Sequence, residues 1–285
     1  MIGGEVSGNT AKSNGGGVYA AGAGLLDLTD VAIAGNGPGT GATFMSGGGV
    51  YVTGPTVVMS GGSIQDNTAQ AGGGMQLDQS PAIDLSTTLL TGNESLIFGG
   101  TIYLTNNVGA TMTNLTVADN ASTGGGAGIN SSGTPLDVAN TIVAFNTGGT
   151  TIANGINITG ASAILACNDV FGNDGANYGG VDDPTGTDGN ISADPLFCDV
   201  AEGDYRVAED GPCAPDQSGG CGLIGALEAA CGTSTPVEDP QVPAAFAVEP
   251  NFPNPFNPVT TIRFAIPSAA RTTVTVFDVR GRLVK

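Results

Sequence analysis

Histidine and tryptophan are absent from this 285-residue chain, and positive charge is scarce. The chain has 7 Lys and Arg against 26 Asp and Glu, which gives a formal net charge of −19. Before Arg263 the only basic residues are Lys12 and Arg206. Because so acidic a surface repels phosphate backbones, the composition argues against nucleic-acid binding. It suits calcium, or solubility outside the cell.

Long apolar runs are also missing. No stretch of 18 apolar residues occurs, so we expect no transmembrane helix. The first residues, MIGGEVSGN, lack the basic and apolar stretches of a signal peptide and lead directly into a repeat. We therefore expect a truncated start, with earlier rungs and any signal upstream.

What the chain has in abundance is a repeat of about 27 residues. An apolar branched residue, two small or polar residues and an Asn recur seven times, with steps of 27, 31, 26, 27, 26 and 27 residues between the asparagines. A period this regular indicates one supersecondary unit stacked on itself. The seven asparagines are Asn9, Asn36, Asn67, Asn93, Asn120, Asn146 and Asn173.

Two further segments accompany each asparagine. Gly-Gly-Gly-Val-Tyr at 15–19 recurs at 47–51 and more weakly later, and a short apolar segment precedes each Asn motif. Three short apolar stretches bounded by turn formers read as strands. Residues 1–198 are therefore predicted to be an all-β, right-handed, three-sided parallel β-helix of about seven rungs. Leucine-rich repeats and calcium-binding nonapeptide repeats are disfavoured, because their sequence frames are absent.

The asparagines have a predicted place in this solenoid. We expect them to stack as an internal ladder, each amide bonding the next, with Asn also taking the left-handed backbone of a sharp corner. The Gly-Gly-Gly-Val-Tyr and x-x-Asn pairing resembles the repeats of chlamydial polymorphic outer-membrane proteins and related bacterial β-helix proteins of the pectate-lyase-like kind. The resemblance covers roughly residues 1–200 and bears on fold more than on function.

The cysteines cluster after the repeats. Disulfides are favoured over zinc, because there is no Cys-x-x-Cys pair and no His. We expect Cys167 to pair with Cys198, which falls at a similar point of the next rung, and two of the other three to pair. The run from ADPLFCD at 193–199 to GPC…CGLIGALEAAC at 211–231 resembles the closing rungs of secreted bacterial β-helix proteins. Residues 199–232 are predicted to be a cysteine-rich cap in which Leu223, Ile224 and Leu227 plug the core. The five cysteines are Cys167, Cys198, Cys213, Cys221 and Cys231.

The end of the chain changes character again. Residues 233–248 are Pro-rich and acidic and read as a linker. In 249–285, NFPNPFNPVTTIRFAIP and the segment TVTVFDVRGR predict two antiparallel strands, at 261–266 and 273–277. The motif closely resembles the C-terminal sorting domain of type IX secretion cargo, which implies a truncated immunoglobulin-like sandwich that contacts the secretion machinery. A generic immunoglobulin-like module of the flagellar hook-capping kind is the alternative.

Two groups of side chains are candidate binding residues. If the turns converge, five carboxylates offer oxygen ligands for Ca²⁺, although a solvated acidic loop explains them as well. Three tyrosines share a repeat position and would form an aromatic strip able to stack on sugar rings, unless they fill corners or pack between rungs. The carboxylates are Asp169, Asp174, Asp182, Asp183 and Asp188, and the tyrosines are Tyr19, Tyr51 and Tyr103.

These features predict a secreted or surface-attached protein with an adhesive, structural or glycan-binding role. Its expected partner is a polysaccharide or cell-surface glycan, at the extracellular or outer-membrane surface of a Gram-negative bacterium. The alternative is a polysaccharide lyase or glycoside hydrolase whose active rungs lie upstream. Because such enzymes need a basic residue beside carboxylates, or clustered Asp with His, we assign no catalytic residue here.

Overall fold

The computed structural model describes residues 1–232, 247–248, 264–265 and 280–282. The chain divides into two compact units, residues 1–233 and 234–285. The first is an all-β parallel solenoid of about six turns. The single helical element of the described residues is one 3₁₀ turn, Val200–Glu202, and none of their helices is long and apolar enough to span a membrane.

Three long parallel sheets form the walls of the solenoid. The first sheet contains β1 (Glu5–Ser7), β5 (Ala32–Ala34), β9 (Ser63–Gln65), β13 (Leu89–Thr91), β17 (Thr116–Ala118), β21 (Ile142–Ala144) and β25 (Asp169–Phe171). The second contains β3 (Val18–Ala21), β7 (Val50–Thr53), β11 (Met75–Asp78), β15 (Ile102–Thr105), β19 (Ile129–Ser132), β23 (Ile156–Thr159) and β26 (Tyr178–Gly179). The third contains β4 (Leu25–Thr29), β8 (Thr56–Ser60), β12 (Ile83–Ser86), β16 (Ala110–Thr113), β20 (Leu136–Ala139) and β24 (Ala163–Ala166).

Short strands join the first sheet to the second. β2 (Thr10–Ala11) pairs with β6 (Gly37–Pro38), and a four-stranded sheet contains β10 (Thr68–Ala71), β14 (Glu94–Phe98), β18 (Ala121–Ser122) and β22 (Thr147–Gly148). After the solenoid, β27 (Phe197–Asp199) and β28 (Asp204–Val207) pair antiparallel. In the second unit, β29 (Ala247–Val248) and β30 (Phe264–Ala265) pair antiparallel.

The number of turns is smaller than predicted. About seven rungs were expected from seven asparagines, but each asparagine marks one return to the same corner, so seven of them bound six intervals. The parallel, three-walled solenoid itself is confirmed. Its right-handed sense stays a prediction.

Each asparagine of the repeat is tied to the asparagine of the next turn. In the middle of the solenoid, the backbone N and the Nδ2 of Asn67 both donate to Oδ1 of Asn93, at 3.1 and 3.0 Å. Asn93 makes the same pair of bonds to Asn120, at 2.9 and 3.0 Å. Its Nδ2 also donates to the carbonyl of Ile64 at 2.9 Å. The buried amides of these ladder asparagines therefore have partners, as a buried polar group requires.

The left-handed backbone lies one residue earlier than expected. The residue before each asparagine has a positive φ, while the asparagine itself turns its side chain inward. Prediction of the left-handed conformation at Asn was therefore wrong. Glycine is common at this corner because it adopts positive φ without steric cost. The seven left-handed residues are Gly8, Gly35, Asp66, Gly92, Asp119, Phe145 and Gly172.

The other two corners of each turn also bend at left-handed residues. They follow the second and third sheets, for example at Asn106 and Asn140. The corner after the third sheet carries a second ladder, in which Thr141 N donates to Asn168 Oδ1 at 3.1 Å and Asn168 Nδ2 to Asn190 Oδ1 at 3.0 Å. The sequence did not reveal this ladder, because the residue at this corner differs from turn to turn: it is Leu115, Thr141, Asn168 and Asn190 on successive turns.

The cysteine-rich segment packs on the flank of the solenoid. Residues 197–231, the strap, cover outward side chains of the first sheet. Ile224 lies in one apolar cluster with Ile142, and Tyr205 lies in another with Leu89. The predicted plug of the core by Leu223, Ile224 and Leu227 is therefore wrong. The outward residues of β13, β17 and β21 are buried and largely apolar, and the strap is what covers them.

Two disulfides fasten the strap. Cys167 pairs with Cys221, and Cys198 with Cys231. The expected Cys167–Cys198 bond is wrong, because Cys198 lies on the hairpin strand β27 and not on a further rung. Cys213 is free and buried.

Predictions for the tail mostly fall outside the described residues. The sorting-domain sandwich at 249–285 and the strand at 273–277 cannot be compared with described structure. Within the predicted strand 261–266, Phe264–Ala265 is a strand. Its partner Ala247–Val248 lies at the end of the predicted linker.

Glycine triplets at the start of the second sheet allow neighbouring turns to approach closely. A Cβ at Gly48 would overlap the carbonyl oxygens of Gly73 and Thr68. We expect Gly48→Ala to lower the free energy of unfolding by about 1–3 kcal/mol through overpacking. Gly109→Ala is the matched control, because a Cβ there meets nothing within 4 Å. Urea unfolding followed by far-ultraviolet circular dichroism would measure both; equal losses would refute the packing argument.

Candidate ligand-binding surface

The three candidate tyrosines lie in one column on the outer face of the second sheet. Strand register aligns Tyr19 with Tyr51, and Tyr103 two turns further on. Polar amide side chains fill the rest of this column. We define the tyrosine column as Tyr19, Tyr51, Gln76, Tyr103, Asn130 and Asn157.

Two of the tyrosines stack on each other between turns. The ring centroids of Tyr19 and Tyr51 are 5.6 Å apart, with an interplanar angle of 9°. The ring faces that they share are covered, so an uninterrupted strip of three open faces does not form. Tyr19 lies on the first strand of this sheet, and the residue is 59% exposed. The face of Tyr51 that is turned from Tyr19 points along the column toward Gln76.

Tyr103 belongs to an aromatic group at the edge of the column. Its ring meets Phe98 edge to face, with centroids 5.7 Å apart, and Phe98 contacts Phe44 at 6.4 Å. Phe44 sits in the long step of the repeat, where ten residues lie between Asn36 and Gly47 but only four between the equivalent positions of the next turn. The extra residues thus add an aromatic side chain beside the column.

The long step is held in place by its one buried apolar residue. Met45 is completely buried. Its backbone N donates to Oε1 of Gln70 at 2.7 Å, and the backbone N of Gln70 donates back to the Met45 carbonyl at 3.0 Å. Phe44, next to this anchor, remains 46% exposed. The loop therefore presents Phe44 from a fixed backbone.

One polar atom of the tyrosine column has no hydrogen-bond partner. The Oε1 of Gln76, between the levels of Tyr51 and Tyr103, is buried and accepts no hydrogen bond. An unpaired buried acceptor costs about 1–3 kcal/mol, which a hydroxyl donor would recover. Burial, and then Asp78, raises the pKa of both tyrosines, so their hydroxyls remain protonated donors. Aromatic faces, hydroxyls and amides together form a surface suited to a sugar.

The five carboxylates predicted for calcium do not converge. Asp174 accepts from the backbone N of Gly148 at 3.2 Å, and Asp183 from the backbone N of Thr185 at 2.9 Å. Asp182 and Asp188 are exposed in the turn at 181–189. Within the described part of the chain, no three His, Cys, Asp or Glu side chains are grouped to hold a metal ion.

Asp169 is separated from the others by burial beneath the strap. It is fully buried; its Oδ1 accepts from the backbone N of Ala193 at 3.0 Å, and its Oδ2 from the Sγ of Cys213 at 3.2 Å. Burial raises the pKa of Asp169 to about 6. Burial, and then Asp169, raises the pKa of the Cys213 thiol. This pair was not predicted, because its partners are 44 residues apart.

A second buried contact of the strap also escaped prediction. The hydroxyl of Tyr205 donates to Asp119 at 2.9 Å.

The basic side chains of residues 1–232 are Lys12 and Arg206, and Arg206 is paired with Asp204 at 2.6 Å.

No protein-family model, curated protein or solved structure matches the chain.

The buried carboxyl of Asp169 should make stability depend on pH. Because its pKa is raised from 3.8 to about 6, its contribution to stability is complete below about pH 4 and is lost as the pH rises through about 6. We expect Asp169→Asn to remove this loss, gaining on the order of 2–3 kcal/mol over the wild type between acidic and neutral pH.

Urea unfolding at several pH values would check this prediction. The exposed Asp84 provides the matched control, and Asp84→Asn should keep the wild-type pH dependence. An Asp169→Asn protein whose stability follows pH as the wild type does would contradict the assignment.

Proposed function

We propose that this protein is a secreted or surface-attached β-helix protein that binds a neutral polysaccharide through the tyrosine column, in an adhesive role. The observation that carries the proposal is the column itself: aromatic rings and amides stand at one repeat position on successive turns, and Gln76 among them has an unpaired acceptor. Repetition along the solenoid suits a polymer of repeating units, because equivalent positions recur about every 4.8 Å.

Aromatic rings provide the apolar part of sugar recognition. The C–H faces of a pyranose are apolar and pack on aromatic faces, while the sugar hydroxyls bond to polar groups at the rim. In the column, Tyr19 and the Phe44 group supply rings. Gln76 and the amides of Asn130 and Asn157 supply donors and acceptors, with Asn157 Nδ2 already bonded to Asn130 Oδ1 at 3.0 Å.

Charge narrows the class of polysaccharide. Residues 1–232 carry 22 Asp and Glu against two basic residues, so a polyuronate or sulfated glycan would be repelled. Asp78 lies close enough to influence both Tyr51 and Tyr103. A neutral glycan has no charge to be repelled by this carboxylate.

Two observations support the proposal that the protein is exported. The NFPNPFNP motif at 251–258 resembles the opening of type IX sorting domains. The two disulfides of the strap suit an oxidising environment outside the cytoplasm. On this proposal, residues 249–285 contact the secretion machinery, and the solenoid reaches the extracellular or outer-membrane surface of a Gram-negative bacterium as a right-handed β-helix of the polymorphic outer-membrane type.

Affinity electrophoresis with soluble polysaccharides would test glycan binding. We expect neutral polysaccharides such as xylan and β-glucan to retard the protein, and polygalacturonate to leave its mobility unchanged. Removal of the Tyr19 and Tyr51 rings in Tyr19→Ala/Tyr51→Ala should weaken binding by about tenfold, from the energy of two aromatic contacts. Val108→Ala, which trims an exposed apolar side chain in the turn before β16, away from the column, should bind as the wild type.

Two results would overturn the proposal. One is retardation by no neutral polysaccharide; the other is equal binding by the double variant and the wild type, provided circular dichroism shows both to be folded. Release of reducing or unsaturated ends during incubation would instead support the lyase or hydrolase alternative.

A further inference from the structure

Two cavities open side by side on the outer face of the third sheet, at its C-terminal end. One has a volume of 550 Å³ and lies over β24, with Val181, Asp182, Pro184 and Asp188 as its wall. The other, of 360 Å³, lies over the preceding turns. Ile164 lines both. We call the two together the third-sheet groove.

The floor of the groove is apolar and open to solvent. Ile164 is 66% exposed, and Val108, which lines the smaller cavity, is 74% exposed. Pro81 and Pro135 line the smaller cavity as well. A single exposed apolar residue is ordinary, but two in one continuous depression form a patch of the kind that binds partners.

Carboxylates lie within this apolar floor and at its wall. Asp137 is aligned with Ile164 in the outward column of the sheet, one turn before it. Asp182 and Asp188 lie on the other side, in the turn that follows β26. All three are exposed. Since Lys12 and Arg206 are the only basic side chains of residues 1–232, the solenoid cannot neutralise these charges itself.

We infer that the third-sheet groove docks an extended segment of a partner protein in which Lys or Arg alternates with aliphatic residues. The carboxylates of the groove favour basic side chains, and its apolar floor favours aliphatic side chains. Successive turns are about 4.8 Å apart, and an extended chain rises about 3.3 Å per residue. The three turns from Val108 to the wall at Asp182 therefore accommodate about four or five residues.

The same features disfavour a metal ion. A hard cation such as Ca²⁺ needs six to eight converging oxygens, whereas Asp182 and Asp188 face an apolar floor and belong to no group of metal-ligating residues in the described chain. A Lys side chain suits such a place, because its hydrocarbon stem packs on apolar surface while its ammonium reaches the carboxylates.

Fluorescence anisotropy with labelled six-residue peptides would test the inference. The main probe alternates Leu with Lys; one comparison peptide alternates Leu with Glu, and another alternates Ser with Lys. We expect the Leu–Lys peptide to bind at least about tenfold more tightly than either comparison peptide, since each lacks one of the two complementary features.

Matched variants of the protein locate the binding. Ile164→Ser and the double variant Asp182→Asn/Asp188→Asn should each weaken binding of the Leu–Lys peptide by about tenfold. The controls are Leu25→Ser, an exposed apolar residue at the other end of the same sheet, and Asp27→Asn/Asp84→Asn, which changes the net charge equally. Both should change binding by less than about twofold, because neither residue set lines the groove.

Three outcomes would overturn the inference. Equal binding of the Ser–Lys peptide would make the attraction purely electrostatic, and equal binding of the Leu–Glu peptide would make it purely apolar. Equal weakening by the control variants would place the peptide elsewhere on the acidic surface. None of these outcomes bears on the tyrosine column, which lies on a different sheet.

Discussion

The buried asparagine ladder at the first corner is the interaction on which the rest of the solenoid depends. Each internal asparagine uses its side-chain oxygen to accept two bonds from the previous turn, and its Nδ2 to donate onward, for example from Asn67 to Asn93. Corners are where a solenoid would leave backbone groups unpaired, since no strand ladder continues there. The ladder satisfies those groups and holds neighbouring turns in one register.

The register between neighbouring turns determines which outward side chains lie next to one another on the surface. Once the turns are aligned, outward side chains at equivalent positions stand in columns. Residues that interrupt the repeat are then held at fixed positions beside those columns. The long step before Met45 brings Phe44 to the tyrosine column. Similarly, the turn after β26 raises Asp182 and Asp188 at the end of the third-sheet groove. The repeat thus supplies the tyrosine column, and the two breaks in its period add Phe44 to that column and the carboxylate wall to the groove.

The repeat could be predicted from the sequence, because period and residue type are local features. Spacing of the asparagines indicated the ladder, and three short apolar stretches per period indicated three walls. The position of the left-handed residue was missed by one, because Asn and Gly both accept that backbone. Tyr19, Tyr51 and Tyr103 were found by their shared position, but the stacking of the first two depends on side-chain orientation.

The strap shows where prediction from sequence ends. Its partners, such as Ile142 for Ile224, are some 80 residues away, and no period links them. The pairing of Cys167 with Cys221, and the burial of Asp169 beside Cys213, follow from that long-range packing. A buried carboxyl and an exposed one look alike in sequence, so the acidic turn and Asp169 were grouped together although the structure separates them.

The most direct test of the ladder's role compares its middle with its end. Asn93→Ala removes the acceptor of two bonds and the donor of others inside the core. Asn9, at the first turn, is exposed, and its side chain makes one bond, from Nδ2 to Oδ1 of Asn36. Urea unfolding should show a loss of at least about 3 kcal/mol for Asn93→Ala and less than about 1 kcal/mol for Asn9→Ala. Equal losses would contradict the account.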